Sequence, residues 1–135
     1  MQEPSIFTRI INGEIPSYKV YEDDRVIAFL TIDPITPGHT LVIPKLQIIS
    51  VWDLPDDLYV YTMGIVKKVA SRQLEVLQPK RVGIVVDGFA VPHAHIHVLP
   101  LQDGLEAAID GHFHLVTHEP DNTALADMAK KLYFS

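Results

Sequence analysis

Ten residues constrain this chain more than any others: Val91-Pro-His-Ala-His-Ile-His-Val-Leu-Pro100. Histidine takes every second position from His93 to His97, and Ala94, Ile96 and Val98 fill the positions around them. Side chains alternate faces along an extended strand, so the segment has one apolar face suited to a core and one face of three imidazoles. Those imidazoles stand on Cα atoms about 7 Å apart, given a rise of roughly 3.3 Å per residue. The pattern predicts a strand over residues 91–99 in a sheet whose apolar face is covered. With seven histidines in 135 residues, composition alone would produce such a row in only about 2% of chains. A solvated face does not demand the same side chain three times, so the row points to chemistry.

The remaining segments supply a sheet and its cover. Residues 5–11 place Ile6, Phe7, Ile10 and Ile11 at helical spacing and run into Asn12-Gly13, a helix stop. Residues 18–21 and 25–32 are β-rich runs separated by Glu22-Asp23-Asp24, a hairpin signal. Pro34, Pro37 and Gly38 make a loop, and residues 39–43 form a third strand stopped by Pro44. From Asp53 the period changes. Leu58, Tyr61, Ile65, Val69 and Val76 fall at helical spacing, Asp53, Asp56 and Asp57 suit the positive N-terminal end, and Pro79 ends the helix. Residues 81–86 read as a fourth strand, and residues 101–120 as a poorly determined stretch. Leu125, Met128, Ala129 and Leu132 mark a final amphipathic helix started by Asp121 or Asn122. The fold class is α+β over a single domain, 1–135: an antiparallel sheet of about five strands, one long helix and a C-terminal helix.

Charge and composition narrow the partners. A formal charge of −6 argues against a nucleic acid polymer, although a local cluster of donors can still hold a small phosphorylated ligand. The absence of cysteine removes disulfides and thiolate metal sites. No apolar run approaches the roughly 20 residues of a membrane span, and the opening MQEPSIFTRI lacks the pattern of a signal peptide. The expectation is a cytoplasmic protein with no membrane partner.

Two chemistries suit a row of imidazoles. It could be a metal site, since imidazole ligates zinc, copper and iron. Alternatively one imidazole attacks phosphorus while its neighbours orient it, because neutral imidazole is nucleophilic near pH 7. Spacing alone leaves the two nearly even.

The order of several blocks breaks the tie. The motif His-φ-His-φ-His-φ-φ, with φ apolar, is satisfied over residues 93–99, and the chain resembles the histidine-triad (HIT) superfamily. Further matches are Ile6-Phe7 with Ile10-Ile11, Gly13-Glu-Ile-Pro16, Tyr21-Glu-Asp-Asp24, Ala28-Phe29 and Pro37-Gly-His-Thr-Leu-Val-Ile-Pro-Lys45. The resemblance covers residues 5–100 and leaves 101–135 as a divergent tail. It implies a homodimer and an enzyme that hydrolyses or transfers a nucleotide, with a purine nucleotide or nucleotide conjugate as ligand and no cofactor. His95 would attack the α-phosphorus of a nucleoside phosphoramidate or dinucleoside polyphosphate, giving a covalent nucleotidyl-histidine that water cleaves. His97 and His39 would orient or contact the phosphate-bearing ring, and His93 would assist leaving-group protonation or ring orientation. Ile6, Phe7, Ile10, Phe29 and Ile32 match the apolar pocket for the base.

Departures from the family pattern fall around the substrate. Thr31 stands where a ribose-binding carboxylate is common, with Asp33 two residues on and expected on the same strand face. Gly88-Phe89-Ala90 replaces Gly-Gln-Ser, in a shortened loop after Val86, and Asp87 lies near a usual asparagine. An inward carboxylate at Asp87 would repel phosphate, while the backbone N–H groups of Gly88 and Ala90 could still hold it. These changes keep open a nucleotide-binding sensor or scaffold with little catalysis. Zinc-binding relatives carry two cysteines and a histidine where this chain has Ser5, Thr8 and Gln47, so no structural metal of that type is expected. His112, His114 and His118 form a separate cluster of undetermined role.

Overall fold

The computed structural model describes residues 2–113 and 119–135. Helix α1 (Ile6–Ile11) is capped by Ser5, whose side chain accepts the Thr8 N–H, and it ends before Gly13 at φ +79°. Strands β1 (Tyr18–Glu22) and β2 (Val26–Leu30) follow. The Asp23 carboxylate organises their turn, accepting the N–H groups of Arg25 at 2.7 Å and Val26 at 2.9 Å and the hydroxyls of Tyr21 and Tyr61. After β3 (Thr40–Pro44) a 3₁₀ turn at Val51–Asp53 leads into helix α2 (Asp56–Leu77). Strands β4 (Arg81–Val85) and β5 (Ile96–Leu101), then helices α3 (Leu105–Phe113) and α4 (Asn122–Leu132), complete the order.

The five strands form one antiparallel sheet in the order β1-β2-β3-β5-β4. Its two faces are covered unequally. On one, Val20, Ala28, Val42, Ile96 and Val98 pack against Leu58, Ile65 and Val69 of α2 and Leu125 and Leu132 of α4. On the other, Ile27, Phe29, Leu41 and Ile43 pack against Phe7, Ile10 and Ile11 of α1. β2 is buried on both faces, which explains its unbroken apolar run. No helix of the described residues is long and apolar enough to cross a membrane.

The α+β class, the five strands, the long helix and the Asp121-capped final helix match the expectation. β3 runs one residue later than expected, with His39 in the loop before it and Pro44 as its last residue, and four larger details differ. β5 spans Ile96–Leu101 rather than 91–99, because β3 pairs with it only from Ile96 onward and the chain before that follows the Ile48 loop, whose carbonyl accepts the Ala94 N–H at 2.7 Å. Residues 105–113 are helical, not indeterminate. α2 begins at Asp56, since Pro55 stands as its N-cap and Asp53 belongs to the 3₁₀ turn. β2 ends at Leu30, so Thr31 and Asp33 lie in a loop and not on one strand face.

Candidate active site

The alternation holds in three dimensions even where the strand does not. Ala94, Ile96 and Val98 enter the α2-side core, while His93 and His95 turn to the Phe7 side, with ring centroids 5.9 and 5.1 Å from Phe7. His95 and His97 sit edge to face at 5.1 Å, and His39 lies 5.1 Å beyond His97. His39 enters from the loop before β3, which pairs with β5 and so brings residues 58 positions apart together.

Hydrogen-bond partners set each ring's tautomer. The Ile35 N–H donates to His39 Nδ1 at 3.1 Å, so the neutral ring carries its proton on Nε2. That proton goes to His97 Nδ1 at 2.9 Å, which leaves His97 with a proton on Nε2. Both rings are held neutral: burial, with the neighbouring His97 next, pushes His39 down to about 3, and burial lowers His97 too, against the attraction of Asp87. His95 is fixed in the opposite sense. Its Nδ1–H donates to the His93 carbonyl at 2.7 Å, so Nε2 carries the lone pair and has no hydrogen-bond partner among the described residues. A nucleophilic nitrogen and a ring N–H donor therefore stand side by side.

His93 is a strut. Its Nε2–H donates to the Pro44 carbonyl at 2.8 Å and its Nδ1 accepts the Ser5 hydroxyl at 2.7 Å, with the ring fully buried. With both nitrogens occupied, leaving-group protonation is closed to it and ring orientation is what it can do. Around it, the Gln47 carboxamide oxygen accepts the Thr8 hydroxyl at 2.5 Å and the Ser5 N–H at 2.9 Å. Ser5, Thr8 and Gln47, which sequence flagged only as missing metal ligands, thus form a polar cluster that ties α1 to the histidine row. The serine before the apolar run of residues 6–11 is a cap signal that could have singled out Ser5; nothing in the sequence marks Gln47.

The expected pocket residues separate into two groups. Phe7 and Phe29 lie edge to face at 5.8 Å and both are buried, with Ile10 packed against them. Ile6 is exposed, and Ile32 and Asp33 border a different hollow, shared with α3 and α4. Thr31 Oγ1 accepts the Asp33 N–H at 3.3 Å, and the Asp33 carboxylate lies 3.3 Å from His112 Nε2. His114 and His118 lie outside the described residues. Gly88, at φ +75°, borders a hollow of about 160 Å³ beside His95, together with Asp87, Ile49 and Trp52; Ala90 is not part of that wall. Asp87, His95 and His97 each offer a metal-ligating atom, all within 4.8 Å of one another. The proton on His97 Nε2 opposes ligation there, since freeing that lone pair requires His97 and His39 both to exchange tautomers.

Comparison with known proteins points to one family. The family model for the HIT domain matches residues 12–104. Protein hit of Bacillus subtilis is 41% identical over 103 residues, covering 73% of this chain and 71% of that one. An adenosine 5′-monophosphoramidase of Saccharomyces cerevisiae is 35% identical over 107 residues, covering 78% and 68%. The crystal structure of a Hit-like protein involved in cell-cycle regulation from Bartonella henselae superimposes with a TM-score of 0.81 at 31% identity, covering 97% of this chain and 95% of that one.

Proposed function

The chain belongs to the HIT family, and from that premise we propose that it is a nucleotidyl hydrolase or transferase in which His95 attacks the α-phosphorus of a nucleotide conjugate. The observation that carries this reading is the His95 tautomer: Nδ1–H is engaged by the His93 carbonyl and the Nε2 lone pair is free. In the first step Nε2 forms a bond to phosphorus while the bond to the leaving group breaks, its electron pair departing with a leaving group that takes a proton from solvent. The nucleotidyl ring keeps its Nδ1 proton and is therefore cationic, stabilised by the carbonyl it faces. Water then attacks phosphorus, the P–N bond pair returns to Nε2, and a nucleoside monophosphate and a proton are released. His97 Nε2–H, held by His39, supplies a positioned donor to a phosphate oxygen, and the Gly88 and Ala90 N–H groups are further candidates. Phe7, Phe29 and Ile10 form the apolar side of His95 on which the base would rest, whereas Ile6, Ile32, Thr31 and Asp33, expected in the same pocket, stand apart from them in other surroundings.

A covalent adduct is the test. After mixing with an adenosine phosphoramidate at low temperature, intact-mass spectrometry should show a mass increase of one adenylyl group on the wild type. His95→Ala should bind adenosine monophosphate yet form none; equal labelling of that variant would sink the assignment. Micromolar nucleotide binding without turnover of phosphoramidates, adenylyl sulfate or dinucleoside polyphosphates would make the protein a sensor instead. The grouping of Asp87, His95 and His97 favours a second reading, a metal centre. That reading requires activity to collapse with chelator and return with zinc.

A further inference from the structure

Two unlike environments meet at His95. One is the apolar packing of Phe7, Phe29 and Ile10, which meets His95 through the Phe7 ring at 5.1 Å. The other is the hollow of about 160 Å³ walled by Ile49, Trp52, Asp87 and Gly88 together with His95 itself, none of whose lining belongs to the first grouping. A group-transfer centre needs two such sides at its nucleophile, one for the group retained and one for the group that leaves. The hollow is well below the roughly 300 Å³ at which ligand pockets begin, so it is too small to enclose a second nucleotide. Asp87 extends a carboxylate to within 4.8 Å of the His95 and His97 ring nitrogens and makes no ion pair among the described residues. No lysine or arginine lines the hollow. Beside a phosphate such a carboxylate is a cost unless a cation lies next to it, and the exposed Trp52 indole at the rim offers a π face to one.

We propose that this hollow is the leaving-group subsite and that Asp87 makes it selective for a cationic amine over an anionic leaving group. The inference rests on the nucleotidyl-transfer reading above and names its substrate class: nucleoside phosphoramidates whose amine carries a further ammonium, rather than polyphosphates. Nitrogen leaving phosphorus takes up a proton as its bond breaks, so positive charge also grows beside Asp87 during the reaction. A polyphosphate leaving group brings several negative charges to the same carboxylate.

The experiment compares three adenosine 5′-phosphoramidates, of 1,3-diaminopropane, n-butylamine and γ-aminobutyrate, with the full chain in EDTA so that no divalent ion bridges Asp87 to phosphate. The kcat/KM of wild type should fall in the order cation, neutral, anion, with about a tenfold ratio between first and last. Asp87→Asn should bring that ratio close to one, and Trp52→Ala should lower the advantage of the cation. A merely structural role for either residue would depress all three substrates together and leave the ratio intact. Should Asp87→Asn fold poorly, 1 M salt applied to wild type must shrink the ratio instead. A wild-type ratio near one, or a ratio that survives both Asp87→Asn and salt, overturns the subsite while leaving nucleotidyl transfer standing. Failure to turn over even the butylamine conjugate overturns both.

Discussion

A buried imidazole serves this site only while it is neutral. His39 is 3% exposed, and burial followed by its neighbour His97 holds it at about 3, against about 6.5 in an unfolded chain. Its folded pKa is depressed, so between these values the unfolded state binds the additional proton. The stability His39 contributes is present above about pH 6.5 and is lost as pH falls toward about 3. Burial lowers His93 and His97 in the same direction. Urea unfolding at pH 7, 6, 5 and 4 should show falling stability, with each such group contributing up to about 1.4 kcal/mol per pH unit. His39→Asn should make that slope shallower by about one group's share, whatever it does to stability at pH 7. Equal slopes would show that His39 is not buried and neutral. Ser5 makes a second residue-level claim, since one hydroxyl caps α1 and satisfies His93 Nδ1. Ser5→Ala should cost about 1–3 kcal/mol in thermal or urea unfolding; a change under half a kcal/mol would show that water replaces the hydroxyl.

Elements place those residues, and the connection before β3 shows how. Gly38 sits at φ +92°, and a Cβ there would come within 2.7 Å of Leu77 Cδ1 on α2 and 3.2 Å of Pro100 Cγ on β5. Gln73, fully buried on α2, donates to the Gly38 carbonyl at 3.0 Å and the Val98 carbonyl at 3.2 Å. Helix, loop and strand are thus pinned together one residue from His39. Gly38→Ala combines a left-handed backbone with an overpacked contact, and should destabilise by about 2–4 kcal/mol; full stability by calorimetry would contradict the close approach. Element types were legible where burial is periodic, as along α2, because one covered face imposes the period on the sequence. Boundaries were less so. The start of β5 depends on which neighbour is within ladder reach, and α3 has a weak apolar stripe just beyond residue 104, where the family model ends. The histidine row was legible because alternation survives without ladder pairing. What sequence could not show were partners that only the fold supplies: the Ile35 N–H and Pro44 carbonyl that fix tautomers, and the hollow that Ile49 and Trp52 build beside His95. Phe89 is 93% exposed, a placement its position two residues after Asp87 did not reveal.

At the scale of the whole molecule the sheet has two unlike edges. β1 is shielded where the chain end crosses it: the Phe134 N–H donates to the Val20 carbonyl at 3.0 Å and the Phe134 ring stacks on Tyr21 at 4.8 Å. β4 has no neighbour beyond it among the described strands. It presents Ile84, 47% exposed, and carries Arg81 as its only charge. Open edges of this kind are normally blunted by charge, proline or a cover, because unpaired N–H and C=O groups recruit another strand. A second copy of the chain is the occupant the family resemblance implies, and two-fold pairing of β4 with itself would join the sheets of both protomers. Sedimentation should then give about 30 kDa, twice the 15.1 kDa of one chain. Ile84→Glu places like charges close to the two-fold axis and should shift the protein toward monomer, at concentrations where the wild type stays dimeric. A wild type that sediments as a monomer at all concentrations would refute the pairing. The chemistry at His95 would be untouched by that result, because the hydrogen bonds of His39 with Ile35 and His97, and of His95 with the His93 carbonyl, all form within one protomer.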